Sequence, residues 1–170
     1  VLKKANGVNT ATRARMLADP PKSAPVKGST PVPDKPGQRT QTDLWQAPCK
    51  SIAGNTYMST QYDGHSSNFK VYPIPKKSAA PKAQDTYFRW AKSRGVPVDD
   101  GGVLYSDNEI VLNSLAMDKV AAEHNQSRAN SVDYTPTGNT GAESTFRILP
   151  HEMRKSMIRS GMPDEFWDFA

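Results

Sequence analysis

Leu104-Tyr105-Ser106-Asp107-Asn108 opens, and Pro136-Thr137-Gly138-Asn139-Thr140-Gly141-Ala142-Glu143 closes, the stretch on which the reading of this chain turns. Gly102 to Ser106 has the pattern of a short buried strand that ends at Asp107, and Glu143 opens a helical run. Thirty-five residues separate the two acids. Upstream, Thr42-Asp43-Leu44-Trp45 supplies a third acid on another strand-like segment. Two strand-borne aspartates and a glutamate at a helix start are the set that two-metal phosphodiester chemistry needs. Acids make up 17 of 170 residues, so spacing alone decides little and the sequence around each acid has to carry the argument.

Outward from that stretch the pattern is mixed α/β. Arg39 to Ala47 reads as a strand bounded by Pro48, with Asp43 and Leu44 on opposite faces. Thr56 to Tyr62 is rich in β-branched and aromatic residues, and Phe69 to Ile74 follows the turn at Asp63-Gly64, giving an antiparallel meander. Ser78 is a candidate N-cap for a helix to Arg94, with Tyr87, Phe88 and Ala91 inward and Gly95 and Pro97 stopping it. Asn113 or Ser114 caps a second helix with Leu115, Val120 and Ala121 inward, ending near Asn125. Ala129 to Tyr134 gives a fifth strand. In the helix carrying Glu143, the residues Ala142, Phe146, Leu149, Met153 and Met157 fall at helical spacing, and Pro150 predicts a kink or a division into two helices. Gly161 and Pro163 end that run, and a last helix starts at Asp164. The order fits a central five-stranded sheet with helices packed on it.

Composition separates a basic front from this core. Residues 1–42 hold eight Lys/Arg against Asp19 and Asp34, a net of +6, while the other 128 residues carry a net of −1. The front contains no aromatic residue and six of the 14 prolines. Such a segment cannot bury enough apolar surface to offset chain entropy, so residues 1–39 are expected to be a disordered, basic, Pro-rich linker. Its charge suits either a soluble linker or non-specific nucleic-acid contact. Cys49 is the only cysteine, which excludes an intrachain disulfide. With His65, His124 and His151 scattered, no structural zinc site is expected. No apolar run approaches the ~20 residues of a membrane helix, and no secretory signal is recognisable. The expected location is intracellular. A chain opening at Val1 is expected to be a piece of something longer.

In this order, the segments resemble the catalytic core of a retrotransposon integrase of the copia type, within the retroviral-integrase group. Thr42-Asp43-Leu44-Trp45 is similar to the family's first-aspartate strand, Tyr57 to Ser66 to its second strand and turn, and Phe69 to Ile74 to its third. Ser106-Asp107-Asn108 resembles the second-aspartate motif. Tyr134-Thr135-Pro136, Asn139 and Ala142-Glu143 resemble the glutamate motif, and Gly161-Met162-Pro163 with Phe166-Trp167 and Ala170 resembles the helix beyond it. The likeness spans residues 40–170, expected to be a C-terminally truncated catalytic core. It implies a ribonuclease-H-like fold.

The resemblance also implies an activity. The core would trim the 3′ ends of the element's DNA and join them to target DNA, as a multimer, in the nucleus. Asp43, Asp107 and Glu143 would hold two Mg2+ or Mn2+ ions, and Asn139 and Arg147 would contact nucleic acid. Three acids converging without metal would repel, raising at least one pKa. Other readings stand beside these. Asp63 is ordinary turn chemistry before it is a ligand. Arg147 is as well placed for an ion pair with Glu143 as for a phosphate. Arg154, Lys155 and Arg159 read as a solvated helix face, Lys76 and Lys77 as surface charge with nucleic-acid contact second, and Trp45 and Trp167 as core. The chain departs from the family at Glu109-Ile110-Val111, where glycines are usual, at Thr140, with Gly141 displaced by one, and at Ser144. The family's zinc module is missing, so independent integration by this fragment is not expected. The rival functions are a degenerate or co-opted, non-catalytic nucleic-acid-binding domain and a plain nuclease of the same fold.

Overall fold

A computed structural model describes residues 33–107, 109, 111–130 and 140–170. The front segment up to residue 32, Asn139 and the 131–134 part of the expected fifth strand lie outside the described residues. Five strands form one sheet: β1 (Arg39–Gln46), β2 (Tyr57–Asp63), β3 (Phe69–Ile74), β4 (Val103–Ser106) and β5 (Ser127–Asn130). Their order is β3-β2-β1-β4-β5. The β1–β2 and β2–β3 pairs are antiparallel, whereas β1–β4 and β4–β5 are parallel. Among the described residues, three α-helices accompany them: α1 (Ala80–Ser93), α2 (Leu115–Glu123) and α3 (Thr140–Ser160).

Period-two alternation on β1 assigns the two faces of the sheet. Leu44 packs on the core built from α1 and α2, which contains Phe88, Leu104, Leu112, Met117 and Ala121. Trp45 points the other way, into a second core with Met58, Met153, Met157 and Trp167. Asp43 and Gln41 therefore share the α3 face. The two tryptophans meet edge to face at 6.2 Å and 77°. The indole Nε1 of Trp167 donates to the Cys49 carbonyl at 3.0 Å, so both are core residues. Asp168 accepts from Ser51 and Asn55, which ties the end of the chain to the β1–β2 connection.

Several local expectations are corrected. Ser78 does not cap α1: Lys77–Ala79 form a 3₁₀ turn, Ala79 occupies the N-cap position without a side-chain bond, and Pro81 sits in the first turn, where its missing N–H costs nothing. Ser114 does cap α2, its hydroxyl accepting from Met117 N. Leu115, the first residue of that helix, is 81% exposed, and Met117 with Ala121 forms the buried pair instead. Ser114→Ala should lower stability by about 1 kcal/mol, read as a drop in urea midpoint with an unchanged slope. Pro150 neither ends nor divides α3, which runs unbroken over 21 residues. Apolar side chains on both sides of it (Phe146, Leu149, Met153 and Met157) pack on the sheet, and that packing outweighs the lost hydrogen bond. Gly161 then closes α3 at φ +69° while Met162 N reaches back to the Met157 carbonyl. The last helix is a 3₁₀ segment, Asp164–Phe169.

Candidate active site

The parallel β1–β4 register sets the first two acids. Thr42 lies opposite Ser106, so the next residues along, Asp43 and Asp107, stand side by side where β4 ends. Asp43 Oδ1 accepts from Leu44 N at 2.8 Å, and Asp107 Oδ1 accepts from Glu109 N at 3.1 Å. Both carboxylates are thus fixed by a neighbouring backbone amide. Arg128 on β5 steadies the segment around Asp107: its guanidinium donates to Ser106 Oγ, the Leu112 carbonyl, Asn113 Oδ1 and Asp118.

Glu143 is delivered by a side chain the sequence did not single out. Gln41 is 3% exposed and sits two residues before Asp43 on the same face. Its Oε1 accepts from Gly141 N at 2.8 Å and from Ala142 N at 3.3 Å. Those are free amides of the first turn of α3, so one buried amide oxygen both caps the helix and fastens its start to β1. The same contact explains glycine at position 141. A Cβ there would lie 2.3 Å from Tyr62 Cε1 and 2.5 Å from Gln41 Oε1. Glu143, two residues on, is exposed at the mouth of the site.

The electrostatics reflect this gathering. Burial, and then the charges of Asp107, Glu143 and Glu109, push the Asp43 carboxyl up to about 7 against the lowering effect of the Leu44 amide. Burial and Glu109 also raise Asp107, opposed by the Glu109 amide and by Lys77. Glu109 is a fourth acid that sequence reasoning passed over, because it lies where the related motif carries glycine. Lys77, read as surface charge, forms an ion pair with it. Among the described residues, no three His, Cys, Asp or Glu side chains come close enough together to hold a metal ion by themselves. Arg147 donates to Ser144 Oγ at 2.9 Å. Asp63 is buried in its turn and accepts from Gly37 N, Ser66 N and Ser66 Oγ, which is a structural role.

No family model matches the chain, and no curated protein matches its sequence. Among solved structures, it is similar to the catalytic core domain of BIV integrase, with a TM-score of 0.55 at 14% identity, over 77% of this chain and 78% of that one. The chain therefore has the ribonuclease-H-like fold of a retroviral integrase catalytic core, a five-stranded mixed sheet flanked by helices. Among the described residues, no helix is long and apolar enough to cross a membrane.

Proposed function

We propose that this chain is the catalytic core of a copia-type retrotransposon integrase, which trims the 3′ ends of the element's DNA and transfers them into target DNA. The observation that carries the reading is Asp43, half-buried on β1 and pushed up to about 7 by that burial and in part by Asp107 and Glu143, on an integrase-core fold. Unrelieved repulsion among carboxylates is what divalent cations remove, and hard carboxylate oxygens are the donors that Mg2+ and Mn2+ prefer. The donor chemistry therefore suits such ions, and Asp43, Asp107 and Glu143 are the residues that would hold them once drawn closer together than they stand here. Bound there, the ions would supply an activated oxygen nucleophile and charge relief for the departing oxygen. The chain's own contribution is placement. The Leu44 and Glu109 amides orient the two aspartates, and Gln41 holds the start of α3, which leaves Glu143 within electrostatic reach of Asp43. Asn139 and Arg147 are proposed DNA contacts, and the working form is a multimer on DNA in the nucleus.

A second reading, a non-catalytic integrase-like domain that binds nucleic acid, draws support from the looseness of the acid set among the described residues. One titration separates the two. Mg2+ and Mn2+ are added to the full chain, followed by calorimetry and thermal melting, beside Asp107→Asn. Saturation to about 100 times Kd should stabilise the parent by about 2.7 kcal/mol, and the variant should lose most of that gain. A folded parent without binding would favour the non-catalytic domain. Joining of a labelled duplex to a target plasmid then distinguishes an integrase from a nuclease, which leaves only cut ends.

A further inference from the structure

The net of −1 over residues 43–170 conceals an uneven distribution. Residues 70–94 hold seven Lys/Arg against the single acid Asp85. They form β3, at the edge of the sheet, and α1, which packs along it, each about 20 Å long. Lys77, Arg89 and Lys92 are paired with Glu109, Asp85 and Asp99. Among the described residues, Lys70, Lys76, Lys82 and Arg94 pair with no carboxylate. Lys70 and Arg94 converge instead on one indole. The Lys70 ammonium stands 4.2 Å from the Trp90 ring centroid, and the Arg94 guanidinium carbon stands 6.0 Å from it. Trp90 is backed by Tyr87 at 6.0 Å and packs on the core, so the ring is a fixed platform. A carboxylate would consume the N–H donors of these cations. An aromatic face attracts the charge and leaves the donors available.

We infer that the β3–α1 face is a docking surface for the phosphodiester backbone of a nucleic acid, anchored by Lys70 and Arg94 on Trp90. Charge and shape select this occupant. One strand of a duplex presents roughly six phosphates over the span of β3, and the carboxylate-free cations are spread along the same length, with Lys70 near one end of β3 and Lys76 just past the other. No large hydrophobic side chain between residues 70 and 94 is exposed. The face therefore offers nothing to enter a bilayer or to fill an apolar pocket on a protein. Beside Lys76, Lys77 reaches Glu109, two residues past Asp107, so the surface runs up to the rim of the acid site. The assignment needs no metal there.

The test is anisotropy of a labelled duplex with the full chain in EDTA, across a range of salt. Residues 1–42 are identical in every variant, so their contribution cancels. Lys70→Gln and Arg94→Gln should each weaken binding about fivefold to tenfold near roughly 0.1 M salt and reduce the salt slope by about one. Lys119→Gln removes the same charge from the exposed side of α2, beside β5, and should change neither. Trp90→Leu keeps every charge but scatters the two cations, and should weaken binding about twofold to fivefold. Trp90→Phe keeps a ring beneath them and should bind close to the parent. Equal losses for Lys119→Gln, or parent-like binding by Trp90→Leu, would show net charge acting alone, and either result overturns the inference. So does a panel in which nothing changes. If Trp90→Leu does not fold, the contrast of Lys70→Gln and Arg94→Gln with Lys119→Gln decides by itself. Polyglutamate or phosphatidylcholine–phosphatidylserine vesicles in place of the duplex should abolish that contrast. The same ranking there would assign the face to an acidic protein or a membrane surface and overturn nucleic acid as its occupant. Because EDTA removes metal from the experiment, this inference and the catalytic reading can each fail without the other.

Discussion

Asp43→Asn should make the metal-free protein more stable at pH 8 while abolishing the proposed metal-dependent DNA chemistry. The sign follows from linkage. Asp43 is raised from an ordinary 3.8 to about 7, so the folded state holds its proton more tightly than the unfolded chain does. That stability is fully present below about pH 4 and is lost as pH rises through about 7. A rise of that size is equivalent to on the order of 4 kcal/mol. Asparagine keeps an oxygen that can accept from Leu44 N and carries no charge, so the variant escapes the loss. Melting in EDTA should show parent and variant close together at pH 4 and separated by on the order of 10 °C at pH 8. Adding Mn2+ at pH 8 should close the gap from the parent's side only, since the variant has lost a proposed ligand. A variant that melts below the parent at pH 8 would show that the carboxylate is satisfied without a cation, and the catalytic reading would lose its main support.

How much of this was legible beforehand depends on which force decided each feature. The three front strands were readable because their register is written in side-chain alternation and turn residues. Phe69–Ile74 coincides with the observed β3, and β1 and β2 differ from expectation by a residue at their ends. Asp43 on β1 and Asp107 just past the end of β4 were readable for the same reason. The errors lie where tertiary contact overrides local signal. Leu115 looked like core, but the first residue of a capped helix follows the cap, and the buried row began at Met117. Pro150 left a kink or a division open, and the continuous α3 excludes only the division, because the flanking turns are fastened to the sheet. Lys77 is the exposed charge that was expected, and only its partner, 32 residues away in sequence, was hidden. Gln41 was invisible as a site residue, since a glutamine in a strand gives no hint that it will cap a helix 100 residues later.

Gly141 is where that hidden contact can be tested most directly. Helix propensity alone predicts that Gly141→Ala stabilises α3, by up to about 1 kcal/mol. Packing predicts the opposite. The new methyl would fall 2.3 Å and 2.4 Å from two carbons of the Tyr62 ring and 2.5 Å from Gln41 Oε1. Neither neighbour yields cheaply. The Tyr62 hydroxyl donates to Ser67 Oγ, and Gln41 is buried and already accepting from two amides. The start of α3 must therefore lift from β1 and β2, at a net cost of roughly 1–3 kcal/mol. Lifting also carries the Glu143 carboxylate away from Asp43. The variant should accordingly lose stability overall, show a shallower decline of stability between pH 5 and pH 8, and bind Mn2+ at least about tenfold more weakly, the equivalent of about 1.4 kcal/mol. The pH slope is the discriminating measurement, because a merely loosened helix would shift all melting temperatures down in parallel. If Gly141→Ala is instead more stable and binds Mn2+ as the parent does, propensity has won at this position. The glycine would then have no part in holding Glu143 against the two aspartates.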